Sequence, residues 1–116
     1  MENTMSEETG QKLTDPSRVG DIAEYYAITW LWDNGYDVFK NCGCTGPIDI
    51  VAINDKGETI LIDVKTMGKI SDGVYRNKRV RTAKQKELGV KLLAFNPVTR
   101  KLTFIESKGD RQRELF

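Results

Sequence analysis

The chain has 116 residues, enough for one domain with a modest core and too few for two. Its formal net charge is +1 and its hydrophobic fraction 39%. A strongly acidic or basic scaffold and a membrane span are thereby excluded, since no apolar run approaches the ~20 residues a span needs.

The charge is unevenly spread. From Met1 to Glu24 there are six acids and two bases, and from Lys65 to Lys91 nine bases and two acids. A basic block of this kind suits a phosphate-binding face, and a solvated surface equally. Cys42 and Cys44 are the only cysteines, and no histidine is present to complete a zinc site. They read as reduced thiols in a loop. With no basic-then-apolar leader in the sequence, a soluble, cytoplasmic protein is expected.

Residues 1–14 are polar, acidic and without apolar period, as in a disordered arm. Asp15 then reads as an N-cap and Pro16 as the first helical position. Val19, Ile22, Ala23, Tyr26, Ala27, Trp30 and Leu31 follow at helical spacing, and Asn34-Gly35 closes the helix. Within it, Gly20 leaves room for a close approach one turn before Glu24, a residue that otherwise reads as a solvated helix glutamate. Tyr25, Tyr26, Trp30, Trp32 and Tyr36 read as core or interface packing.

Tyr36 to Asn41 alternates as a first strand. Gly46 to Ile53 and Thr59 to Thr66 form two Ile- and Val-rich runs joined by Asn54-Asp55-Lys56-Gly57, the pattern of a β-hairpin. In the second run Ile60, Ile62 and Val64 share one face, and Leu61, Asp63 and Lys65 the other. Both faces are largely apolar, so the strand is expected to be central. Two charges fully buried in such a strand would each cost several kcal/mol of desolvation without compensation. One compensation is a strand end emerging into water, with Asp63 and Lys65 as a surface pair. The other is a divalent cation shared with Asp49, which follows the Gly46-Pro47 bend at the start of the paired strand.

Met67 to Val80 shows no period and is expected to be a long basic loop that orders on binding. Arg81 to Leu88 reads as a second helix stopped by Gly89. Val90 to Phe95 is a further strand, 96–99 a turn, and Lys101 to Ile105 an edge strand before a charged tail, 107–116. The single domain is thus expected to span 15–106.

Asp49, then Asp63-Val64-Lys65 after a hairpin, resembles the PD-(D/E)xK nuclease superfamily, which includes restriction-type endonucleases and junction resolvases. The resemblance implies an α/β restriction-endonuclease-like fold with an αβββαβ core, its mixed central sheet flanked by helices. It implies that Asp49, Asp63 and the Val64 carbonyl bind Mg²⁺, for which Mn²⁺ substitutes, and that Lys65 orients or activates the attacking water. Glu24 resembles the first-helix glutamate that completes the acidic cluster in resolvase-like members. Gln85 resembles a helix glutamine that positions substrate or water; otherwise it is an exposed helix amide. Ile48 separates Pro47 from Asp49, a departure that removes no group used by the chemistry.

The expected partner is DNA, held by Lys69, Tyr75, Arg76, Lys78, Arg79, Arg81 and Lys84. Two-strand cleavage further implies a homodimer or larger symmetric assembly. The reading is a metal-dependent endodeoxyribonuclease, either structure-selective, as in junction resolvases, or homing- or restriction-like. Two rivals stand beside it: an inactive nucleic-acid-binding module of the same fold, and a structural protein whose Asp63 and Lys65 are a surface pair.

Overall fold

A computed structural model describes residues 15–43, 45–77 and 79–106. The expected arm over 1–14 and tail over 107–116 lie outside the described residues, as do Cys44 and Lys78. Helix α1 (Pro16–Asp33) starts as its sequence requires, with the Asp15 carboxylate accepting a hydrogen bond from the Ser17 amide at 3.1 Å. At its end the Asn34 amide and side chain both return to the Trp30 carbonyl, and Gly35 takes a φ of +87°. No helix among the described residues is long and apolar enough to cross a membrane.

Strands β1 (Asp37–Lys40), β2 (Ile50–Ile53), β3 (Thr59–Thr66), β6 (Lys91–Phe95) and β7 (Leu102–Ile105) form one sheet in the order β1-β2-β3-β6-β7. Only the β3–β6 pairing is parallel; the others are antiparallel. The sheet is therefore mixed, with β3 at its centre and β7 on an edge, as the sequence implied. Asn54 builds the β2–β3 turn, its side-chain oxygen accepting from the Lys56 and Glu58 amides at 2.9 Å each.

Ala23, Ala27, Ile28 and Leu31 of α1 are buried against Ile50, Ala52, Ile62, Val64, Leu93 and Phe95 of the sheet. Alanines at 23 and 27 let the helix axis sit close over the strands, while Ile and Leu supply area worth about 1.5–3 kcal/mol per buried side chain. Of the helix aromatics, Trp30 packs against this core, while Tyr25 and Trp32 are exposed. Tyr26 lies against Phe95, with ring centroids 5.3 Å apart.

The crossover from β3 to β6 corrects the expected loop. Strands β4 (Gly68–Ser71) and β5 (Val74–Arg76) form an antiparallel ribbon, with Lys69 opposite Tyr75 and a register shift before Ser71. Asp72-Gly73 turns it, and Gly73 has a φ of +72°. The second helix also starts later than expected. Thr82 is its N-cap, so α2 spans Ala83–Leu88 and Arg81 precedes it.

Candidate active site

The site is built where β2 stops short of the end of β3. Ile50 is the Cα partner of Ile62, and the Asp49 amide also donates to the Ile62 carbonyl at 2.9 Å. Two residues of one strand thus meet one of the other, the arrangement of a β-bulge. The bulge turns Asp49 so that its Oδ2 accepts from the Val64 amide at 2.8 Å. A side chain has taken over a ladder position that backbone no longer fills. Because the N–H and C=O of one strand residue point to the same edge, the Val64 carbonyl also faces this vacated position.

Asp63 is 4% exposed. Its Oδ2 is buried without a hydrogen bond, although the Lys65 ammonium lies 3.4 Å away as an ion pair. Burial pushes the Asp49 carboxyl up to about 6; the Val64 amide opposes the shift, and the nearby Asp63 and Glu24 carboxylates add to it. Two carboxylates in hydrogen-bonding reach of each other carry more negative charge than one lysine balances. Among the described residues no three acidic or thiol side chains converge as a ready-made cation cage. Two carboxylates and a carbonyl are nevertheless a fit for Mg²⁺, which takes hard oxygen ligands and commonly keeps waters and substrate oxygens in its remaining positions. The buried, unbonded Asp63 oxygen is the atom that most needs such a ligand.

Glu24 acts on Asp49 through its charge, while its own Oε1 pairs with Lys40 at 3.2 Å. Gln85 is buried rather than an exposed helix amide. Its Nε2 donates to the Pro47 carbonyl at 2.9 Å, and its Oε1 accepts from the Thr82 amide at 3.0 Å. The structure thus aims it at the loop that carries Asp49.

A cleft of ≈ 390 Å³ opens at Lys65, the partner of Asp63, and is lined by Pro16, Val19, Gly20, Val64, Lys65, Thr66 and Arg79. Arg76, Arg79 and Lys84 are exposed, and the Lys84 ammonium lies 3.8 Å from Glu87. Lys69 pairs with Asp72 at 3.5 Å across the ribbon turn, and Tyr75 is half-buried. Arg81 departs from the expected phosphate-facing set, being half-buried with Nη1 donating to the Val90 carbonyl at 3.1 Å. It braces the return of the crossover into β6. Lys78 is outside the described residues.

Sequence reasoning missed Asn41. Its Nδ2 donates to the Thr45 and Ile48 carbonyls at 2.6 and 2.9 Å, and its Oδ1 accepts from the Gly43 amide at 2.9 Å. A single asparagine after a strand gives no signal that it will gather a whole loop. The Glu24–Lys40 pair was missed for a related reason, since it joins elements distant in sequence.

No protein-family model matches the chain. It is similar to UPF0102 proteins of Bifidobacterium longum subsp. infantis and of Bifidobacterium longum strain NCC 2705, at 28% identity over 81 residues in each case. Those matches take in 68% of this chain and 64% of each relative, so the chain covers less than two thirds of their length. Among solved structures it is similar to a bacterial homing endonuclease, I-Ssp6803I, with a TM-score of 0.58 over 78% of this chain and 64% of that one, at 22% identity. Together with the mixed sheet centred on β3, this likeness defines the fold as restriction-endonuclease-like.

Proposed function

We propose that this chain is a Mg²⁺-dependent DNA endonuclease that hydrolyses phosphodiester bonds. The observation that carries the reading is the closeness of the Asp49 and Asp63 carboxylates at the second half of the central strand, with one Asp63 oxygen buried without a hydrogen bond and Lys65 beside it. A structural protein gains nothing from that arrangement, because an unbalanced pair of carboxylates costs it stability.

Asp49, Asp63 and the Val64 carbonyl would hold the ion, with Glu24 able to join them by leaving Lys40. When bound, Mg²⁺ supplies positive charge against the phosphate and lowers the pKa of a bound water. The chain's own residues do the rest. Lys65, one third exposed at the side chain, sets a cation between Asp63 and the cleft, where it orients the attacking water and stabilises charge developing on the phosphate. Arg79 lines the same cleft, where it would hold a flanking phosphate, and the exposed bases Arg76 and Lys84 would extend that contact along the backbone. These contacts make affinity fall with salt.

Cutting two strands calls for two sites, so the reading includes a homodimer or larger symmetric assembly. Gel filtration of the protein on DNA tests this part, and a single chain on the duplex contradicts it. The activity is tested by cleavage of supercoiled plasmid and of a four-way junction with Mg²⁺ or Mn²⁺. Preference for the junction assigns a structure-selective, resolvase-like enzyme; cutting of plasmid alone assigns a homing- or restriction-like one.

A further inference from the structure

The first acid of the pair sits on a loop, and loops with Gly43 and Gly46 do not hold a carboxylate still by themselves. Here two side-chain amides hold it. Asn41 gathers the near part with its side chain through Thr45, Ile48 and Gly43, and its backbone amide donates to the Asp49 carbonyl at 2.8 Å. From the other side Gln85, 38 residues from Pro47 in sequence, donates to the Pro47 carbonyl at 2.9 Å.

The chemistry of residue 85 separates two roles. In the capping box of α2 its backbone amide donates to Thr82 Oγ1 at 3.1 Å and its side-chain oxygen accepts from the Thr82 amide. That box asks only for an acceptor, which glutamate supplies as well as glutamine. The donor half of the amide is superfluous to capping; its use is the bond to Pro47. Pro47 follows Gly46, whose φ of +93° makes the bend, and precedes Asp49 by two residues.

We infer that Gln85 is a positioning residue for Asp49. By holding the Pro47 carbonyl it fixes the bend, and the bend places Asp49 Oδ2 on the Val64 amide and beside Asp63. Its consequence for metal binding rests on the nuclease reading above, whereas its consequence for the loop does not.

The test is amide hydrogen exchange by NMR on the full chain without metal or DNA, comparing wild type, Gln85→Glu and Thr82→Ala at neutral pH. Glutamate keeps the acceptor for the Thr82 amide and loses the donor to Pro47. In Gln85→Glu the Val64 amide, released from Asp49, should exchange roughly tenfold faster while the residue 85 amide keeps its protection. In Thr82→Ala the order reverses, with the Gln85 amide exposed and the Val64 amide protected. Mn²⁺ affinity, titrated calorimetrically, should fall several-fold in Gln85→Glu and hold in Thr82→Ala. Wild-type protection of Val64 in Gln85→Glu overturns the inference, as does equal loss in both variants. A wild type that cuts no DNA, with Val64 still released by Gln85→Glu, removes the nuclease reading and leaves the positioning role standing. A metal-dependent wild type with Val64 unmoved does the opposite.

Discussion

The Asp49 carboxylate accepts a hydrogen bond from the Val64 amide at 2.8 Å, replacing with a side chain the backbone partner that β2 no longer provides. This contact both ends the strand pairing and brings a second carboxyl to Asp63. The first group of predictions follows from the charge so assembled.

Asp63→Asn should abolish cleavage and raise the stability of the metal-free protein. Asn is nearly isosteric, removes the buried charge whose Oδ2 has no hydrogen bond, and leaves Lys65 free to reach water from a position already one third exposed. A rise in Tm of about 2–5 °C, measured by calorimetry in the presence of a chelator, is expected. A fall of that size shows that the Lys65 pair outweighs the cost of the buried charge.

Asp49 makes the stability depend on pH with a definite sign. Its carboxyl titrates at about 6 when folded, above the 3.8 of the free group. Between those values the native state binds more protons than the unfolded one, so stability falls as pH rises and the full cost is present above about 6. Denaturant titrations from pH 4 to 7 should show this downward contribution in wild type and its loss in Asp49→Asn. A divalent cation should reverse the trend, its affinity increasing with pH over the same range because it competes with the proton.

The fold was legible because its main elements carry strong periodic signals, as in the α1 stripe at Ala23, Ala27 and Leu31 and the alternation of Ile60, Ile62 and Val64. Asp49, Asp63 and Lys65 could be read together because charges in an apolar strand stand out. The β4–β5 ribbon was hidden by its brevity and exposure, although Asp72-Gly73 was a usable turn signal. Gln85 was singled out for a substrate-facing role, while Thr82 three residues earlier marked a capping box that, with the bond to Pro47, turns its side chain inward. Asn41 had no signal at all, since its side-chain partners are loop backbone groups.

Arg76→Ala and Arg79→Ala should each weaken DNA binding without altering Tm, since both side chains are exposed. Each should reduce the slope of log affinity against log salt by about 0.9 for duplex DNA, measured by fluorescence anisotropy across a salt series. An unchanged slope would place that arginine away from phosphate. Arg81→Ala should instead destabilise the fold by about 1–2 kcal/mol, because it leaves the Val90 carbonyl without its guanidinium donor.

Gly20→Ala offers a test of the cleft. A Cβ at this position meets nothing within 4 Å, so the helix should gain about 0.5–1 kcal/mol from the lost glycine flexibility. Thermal melting checks the gain; a loss would mean that the cleft closes against α1 in solution.

The central claim is that the Asp49–Asp63–Lys65 cluster hydrolyses DNA with a divalent ion. The most direct measurement is cleavage of supercoiled plasmid and of a synthetic four-way junction with Mg²⁺ or Mn²⁺ by wild type, Asp63→Ala and Lys65→Ala, each checked for folding. Metal-dependent cutting by wild type that both variants lose is the predicted result. No cutting of either substrate by wild type, with salt-sensitive DNA binding retained, would contradict it and leave a nucleic-acid-binding module on a nuclease fold.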